Sequence, residues 1–310
     1  MKKLLITILF FCLLILILVQ GFYFPKNPQG QEQFFLVKKG ESVFQIGQNL
    51  EERGFIKNKY LFDLYILASG KQSKLQAGEY ALSSSMNISK ISQKFISGNI
   101  AKEIITIPEG WNLRDIAWYF ENKGMFQAEE LYEMTELEGY LFPDTYEISK
   151  GASLQEIIKK MTDNFNEKVT PELREDIQKQ GKTVSEIVTI ASLLEKEVQT
   201  LQDKKMVAGV LLNRLQVGMP LQVDATITYI TKKQTTGISK EDTQIDSPYN
   251  TYRYAGLPLG PICNPGIESI KAAIYPDINS HWYYLSTSEG ETIFSKTLEE
   301  HNIAKAKYLK

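Results

Sequence analysis

The chain opens with Met1-Lys2-Lys3 and then an unbroken apolar run from Leu4 to Val19, which resumes after Gln20-Gly21 in Phe22-Tyr23-Phe24. The strict run is about 16 residues and the extended one about 21. A helix rising 1.5 Å per residue needs roughly 20 to cross the hydrocarbon core of a bilayer. The pattern predicts a cytoplasmic tip and transmembrane anchor over residues 1–24. A cleaved signal peptide is the competing reading, with an apolar core of about 7–15 residues that ends at a small-x-small site. Here the run is longer, it exits into bulky aromatics suited to the membrane interface, and no Ala-x-Ala-like site follows. Lys2 and Lys3 favour a cytoplasmic N-terminus, with everything after Phe24 outside the cytoplasm.

Pro25, Asn27, Pro28 and Gly30 mark residues 25–33 as a linker. The period then changes to strand, turn and helix. Phe35-Leu36-Val37 reads as a strand, Lys38-Lys39-Gly40 as a turn and Ser42 as a helix N-cap, with Val43, Ile46 and Leu50 at helical spacing and Gly54 as the stop. About 70 residues later the pattern recurs. Ile105-Thr106-Ile107 is the strand, Pro108-Glu109-Gly110 the turn and Asn112 the cap, and Leu113, Ile116, Phe120 and Gly124 repeat the earlier positions. Ala77 to Ser83 parallels Pro143 to Ser149, each followed by a helix, so residues 34–165 read as a duplicated α+β region. Val37-Lys-Lys-Gly-Glu-Ser-Val with Ile46 resembles a LysM glycan-binding motif, although the repeat is longer than a LysM unit. A spacer or docking platform and a direct glycan binder both fit it. Trp111, Trp118 and Tyr119 suit sugar stacking but are expected to be core residues of a helix.

Residues 170–310 read as a separate, mixed α+β domain. A strong helix begins at Thr183, which has capping-box spacing to Glu186, with Val184, Ile187, Ala191, Leu194 and Val198 on one face. A second helix spans Asp203 to Val217. After Gly218 the text turns rich in Gly, Pro, Asn and Tyr, then gives a helix from Ile267 to Ile274 and a hairpin from His281 to Ser295 that turns at Ser288-Glu-Gly. Long loops held by helices often build clefts. Tyr249, Asn250, Tyr252 and Tyr254 offer flat faces and polar tips for sugar rings, and Asn213, Gln222 and Asp224 add hydrogen-bonding groups.

Composition narrows the function classes. The 310 residues carry 35 Lys+Arg against 37 Asp+Glu, and 43% are hydrophobic, as in ordinary globular proteins. A disordered chain and a disulfide scaffold are excluded, and no basic excess points to nucleic acid. Cys12 lies in the anchor and Cys263 in the soluble part, so no intramolecular disulfide is expected. A Cys263/His281 thiol protease lacks any third-group signal, and Cys263, His281 and His301 match no zinc spacing.

Several blocks in order carry a resemblance. They are Ile107-Pro-Glu-Gly, Leu137-Glu-Gly-Tyr-Leu-Phe-Pro-Asp-Thr-Tyr, Ala191-Ser-Leu-Leu-Glu-Lys-Glu-Val, Val210-Leu-Leu-Asn-Arg-Leu, Pro220-Leu-Gln-Val-Asp-Ala-Thr, Ser247-Pro-Tyr-Asn-Thr-Tyr, Gly256-Leu-Pro-Leu-Gly-Pro-Ile and Asn264-Pro-Gly-Ile-Glu-Ser-Ile. With the N-terminal anchor they resemble the endolytic murein transglycosylase family (YceG-like, MltG-type) over nearly the whole chain. The resemblance implies an α+β architecture: a transmembrane helix, the duplicated LysM-like region and a YceG-like catalytic domain. It implies a single-pass protein of the bacterial cell membrane that cuts inside nascent peptidoglycan strands and leaves 1,6-anhydro-N-acetylmuramoyl ends. Its expected partners are glycan strands, the membrane and candidate peptidoglycan synthases; no cofactor, metal or nucleic acid is expected. The essential carboxylate is expected to be the first Glu of the Glu-x-Glu block, Glu195.

Periodicity alone does not choose between Glu195 and Glu197, which flank the apolar stripe of their helix by roughly 80° on either side. Either carboxyl, if desolvated, would be raised from its usual value of about 4.3 toward the range a general acid needs. One carboxyl suffices for the implied chemistry, since the sugar's own C6 hydroxyl is the nucleophile. A non-catalytic, membrane-tethered peptidoglycan-binding module is the alternative class, and release of anhydro-ended fragments separates the two.

Overall fold

A computed structural model describes residues 2–233, 237–287 and 289–308. The chain divides into two compact units, one of Met1–Ile105 with Tyr146–Ala152 and one of Thr106–Thr145 with Ser153–Lys310.

The first unit begins with helix α1 (Lys2–Tyr23), whose stretch Ile6–Tyr23 is long and apolar enough to cross a membrane. Side chains such as Phe10, Phe11 and Leu13 lie exposed along it. Its last turn meets the rest of the unit through Phe22, whose ring lies edge-on to Tyr65 at 5.3 Å, and through the Asn87 amide, which donates to the Tyr23 carbonyl at 2.9 Å. Strand β1 (Glu32–Val37) alternates as a half-buried strand should, with Phe35 and Val37 inward and Phe34 and Leu36 outward. Ser42 and Gln45 form a capping box that starts α2 (Val43–Glu52). Helix α3 (Lys59–Ser69) follows, capped by Asn58. The sequence pattern does not single α3 out, because its apolar residues fall on most of its faces. Strand β2 (Gly78–Ser83) returns antiparallel to β1, with Phe35 opposite Tyr80, and leads into α4 (Ile88–Ser97). Strands β3 (Lys102–Thr106) and β4 (Thr145–Ser149) form a second two-stranded sheet. The core is aromatic: Phe35, Phe62, Tyr80 and Phe95 are all essentially inaccessible, and the Tyr80 and Phe95 rings sit 4.7 Å apart edge to face. Burial pushes the Tyr80 hydroxyl up to about 12, and it donates to the Gln76 carbonyl.

In the second unit β3 leads to α5 (Leu113–Asn122) and the short α6 (Glu129–Tyr132), and β4 leads to α7 (Leu154–Lys168). The order strand, helix, helix, strand, helix therefore occurs twice along the chain. The division between the compact units falls inside the second occurrence, leaving its strands largely in one unit and its helices in the other. Trp118 departs from the core placement expected of it. It is 52% exposed on α5, while Trp111 and Tyr119 are half-buried and meet edge to face.

Helix α8 (Pro171–Lys179) precedes α9 (Val184–Glu197), which starts at the expected Thr183–Glu186 capping box. Helix α9 does not have one buried face. All eight residues from Ile187 to Leu194 are buried, because α8, α10 (Leu201–Gln216), α11 (Asp224–Thr231) and α12 (Ile267–Ile274) pack around it. Helix α11 occupies text that reads as turn, its β-branched Thr and Ile residues being weak helix formers. The hairpin forms as β5 (Tyr283–Ser286) against β6 (Thr292–Ser295), and α13 (Leu298–Tyr308) closes the chain. The expected turn residue Ser288 lies outside the described residues.

Truncating Phe95 to Ala should cost about 3–5 kcal/mol, since the aromatic cluster cannot collapse around the void. Trp118→Ala should stay within about 1 kcal/mol. Chemical denaturation of the two variants checks the contrast.

Candidate active site

Helix α9 ends at Glu197, and its cap residue Val198 is already extended. Glu195 and Glu197 therefore sit in a last turn, where a carboxylate is free to serve a neighbouring element. Two neighbours lack caps of their own. Helix α12 starts at Gly266 and α11 at Val223, and neither residue has a side-chain cap bond. Both helices leave backbone N–H groups that need acceptors.

Glu195 serves α12. Its Oε2 accepts from the Gly266 N–H at 2.9 Å and from the Ser269 hydroxyl at 2.6 Å. Its Oε1 pairs with Lys204 Nζ of α10 at 3.2 Å, and the two side chains are only 9% and 3% exposed. The carboxylate is thus placed at a helix N-terminus, where negative charge is favoured, and ties α9, α10 and α12 together. The backbone has to come close for this. A Cβ on Gly266 would collide with the Glu109 carboxylate, and that carboxyl is held above its ordinary value by burial and by the charge of Glu195.

Glu197 serves α11. Its carboxyl accepts from the Ala225 N–H and, at 2.9 Å, from the Tyr284 hydroxyl of β5. Burial pushes it up to about 7, opposed by the Tyr284 bond and reinforced by the nearby charge of Asp224, with the more distant Arg214 guanidinium lowering it. Arg214 is itself buried and committed, donating to the Trp282 and Leu221 carbonyls. Desolvation by burial drives the Tyr284 hydroxyl strongly upward, and the adjacent Glu197 adds to it.

The sequence-predicted binding residues divide around this point. Asp224 is exposed at the first turn of α11 and accepts a short bond from the Tyr252 hydroxyl, so Asp224, Tyr252 and Glu197 share one region. Gln222, two residues before Asp224, is exposed and holds φ at +50°, a strained value for a residue with a side chain. Asn250 is 1% exposed. Its amide nitrogen donates to the Thr243 and Ile245 carbonyls and its oxygen accepts from Tyr252 and Arg253, so it organises the tyrosine loop from within. Asn213 is likewise committed, donating to the Asn279 and His281 carbonyls. Tyr249 packs its ring 5.0 Å from Tyr229.

Helical spacing gives no sign of Lys204, Ser269 or Tyr284, because each meets its glutamate across more than one element. Glu138 also carries no local signal beyond its quoted block. It is 5% exposed, accepts from the Leu113 N–H at the start of α5 and from the Tyr229 hydroxyl, and is raised by burial to about 7. Cys263 is buried, donates to the Ser192 carbonyl and has its thiol pushed up, which is the opposite of what a nucleophilic cysteine needs.

Two carboxyls in unlike surroundings, one charge-paired and one desolvated, are what an acid–base enzyme arranges. The chain belongs to the YceG-like family, whose model matches residues 35–307. It is 35% identical over 303 residues to the endolytic murein transglycosylase of Bacillus subtilis (strain 168), covering 88% of this chain and 84% of that one. It is 29% identical to the endolytic murein transglycosylase of Streptococcus pneumoniae serotype 2 (strain D39 / NCTC 7466), covering 86% of this chain and 56% of that longer protein. The 2.6 Å crystal structure of a yceG-like protein from Listeria monocytogenes superposes with a TM-score of 0.61 at 31% identity, covering 89% of this chain and all of that one.

Glu195→Gln should destabilise the second unit by about 3–5 kcal/mol, because it strands the buried Lys204 charge. Adding Lys204→Met should recover much of that loss. Denaturation midpoints of the single and double variants test the structural role of the pair.

Proposed function

We propose that the chain is an endolytic murein transglycosylase whose proton is moved at the Glu-x-Glu end of α9, with Glu197 as the carrier in this reading and Glu195, the carboxyl the family resemblance implies, as the alternative. The observation that carries this reading is the contrast between the two environments. Glu195 is already engaged by Lys204, Ser269 and Gly266. Glu197 is held near 7 and lies with Tyr252 and Asp224, two of the residues expected to meet sugar. The names of the curated relatives support the substrate class.

The reaction needs one carboxyl. Protonated Glu197 gives its proton to the glycosidic oxygen, and the bond from C1 of N-acetylmuramic acid to that oxygen breaks. The C6 hydroxyl of the same sugar attacks C1, and its proton returns to Glu197. A 1,6-anhydro ring forms, no water is consumed, and the enzyme is restored. Tyr284 orients the carboxyl, and Tyr252 with exposed Gln222 and Asp224 contacts the strand. Helix α1 anchors the enzyme in the cell membrane with its N-terminus cytoplasmic, and the LysM-like repeats act as a spacer or docking platform. Peptidoglycan synthases, which make the strand being cut, are the partners this chemistry suits.

Glu197→Gln should lower the cleavage rate by at least about 10²–10⁴-fold, the usual worth of general acid–base assistance. The proton needed for catalysis is present below the raised pKa, so the rate should fall as pH climbs through about 7. Glu138 lies in the same range, so Glu138→Gln must keep that alkaline limb if Glu197 is its source. A fully active Glu197→Gln enzyme would remove the assignment.

Mass spectrometry of digests in heavy-oxygen water should find 1,6-anhydro ends without label. Labelled reducing ends would mean hydrolysis with a second carboxyl, for which Asp224 is the first candidate.

A further inference from the structure

The first unit carries a groove of about 410 Å³ where α1 ends. Gln20, Gly21 and Phe24 form part of its lining, Phe55 and Leu61 supply apolar surface, and Lys26 and Lys57 add two cations. Both lysines are exposed. Among the described residues that line the groove there is no carboxylate. Beside it, α3 exposes Tyr60 at 69%, Leu64 at 44% and Leu67 at 45%. Their spacing places them on one stripe of the helix, next to the side on which Leu61 and Tyr65 meet Gly21 and Phe22 of α1.

We propose that this groove takes the headgroup of an anionic phospholipid, with the Tyr60, Leu64 and Leu67 stripe lying against the same membrane surface. The proposal rests on the reading of α1 as a retained anchor. Its aromatic exit, Phe22-Tyr23-Phe24, then lies at headgroup depth, where aromatic residues concentrate. Phe24 lines the groove, so the groove opens at that depth. Lysines at this level are attracted to anionic lipid, and their aliphatic stems tolerate the interface. A helix with an apolar stripe beside lysines is the kind that lies in the interfacial plane. The rim charge selects the headgroup, and the apolar wall accommodates the start of the acyl chains.

The test uses the full chain purified in nonionic detergent, with native mass spectrometry in the presence of phosphatidylglycerol or phosphatidylcholine. One retained phosphatidylglycerol is expected, favoured on the order of tenfold over phosphatidylcholine. The preference should vanish in K26E/K57E and weaken in K26Q/K57Q, while cleavage of glycan strands in detergent is unchanged. Equal retention of the two lipids, or a preference that survives both variants, overturns the proposal. In phosphatidylglycerol vesicles, a spin label on L64C in a C12S background should be accessible to oxygen and shielded from a water-soluble relaxant; a water-exposed label overturns the placement of α3. Intact mass of protein recovered from cell membranes separates the two readings. A chain shortened near Gly21 removes the anchor and this proposal together, whereas a full-length chain without lipid preference removes this proposal alone.

Discussion

The second unit depends on the burial of a charge. Lys204 is 3% exposed, and the Glu195 carboxylate that pairs with it at 3.2 Å makes that tolerable. Two ions taken out of water cost several kcal/mol each and are repaid only with good geometry and further hydrogen bonds. Here the further bonds come from the start of α12, where the Gly266 N–H and the Ser269 hydroxyl complete the shell of the carboxylate. One interaction therefore neutralises a cation, caps a helix that has no cap of its own, and fixes the end of α9 against α10 and α12.

That rigidity sets the neighbouring glutamate. Two residues along the same turn, Glu197 meets α11 and β5 instead, with no cation at hydrogen-bond distance among its described partners. Desolvation then dominates and the proton is held to near neutrality. The same Glu-x-Glu text yields a charge-paired carboxylate and a desolvated carboxyl because the elements around the end of α9 differ from one side to the other. Tyr284 and the backbone of Ala225 hold the Glu197 carboxyl, and the strained Gln222 and the Asp224–Tyr252 pair lie in the adjoining segments.

The first unit is built on a different principle. Its two-stranded sheets supply little hydrogen bonding, and an aromatic cluster of Phe35, Phe62, Tyr80 and Phe95 packs between the β1–β2 sheet and the helices. Helix α3 belongs to that core through Phe62 and Ile66 and exposes a second apolar stripe as well.

The amino-acid sequence by itself determined whatever depends on near neighbours. The apolar run of α1, the caps at Ser42, Asn112 and Thr183, the helix Ile267–Ile274 and the closing hairpin are local patterns, and each forms as its residues dictate. The recurring strand and helix order was legible for the same reason. Tertiary structure decided where burial goes. Helix α9 is enclosed on all sides, so a wheel drawn for one face does not rank its glutamates. Trp118 faces outward from an amphipathic helix, Asn250 spends its amide inside the protein although its loop reads as binding text, and Asn213 does the same from helix α10. Lys204 lies nine residues after Glu195 and Ser269 lies 74 after it, while Tyr284 lies 87 after Glu197. Which glutamate is paired and which is desolvated depends on contacts over those separations, and no local periodicity encodes them.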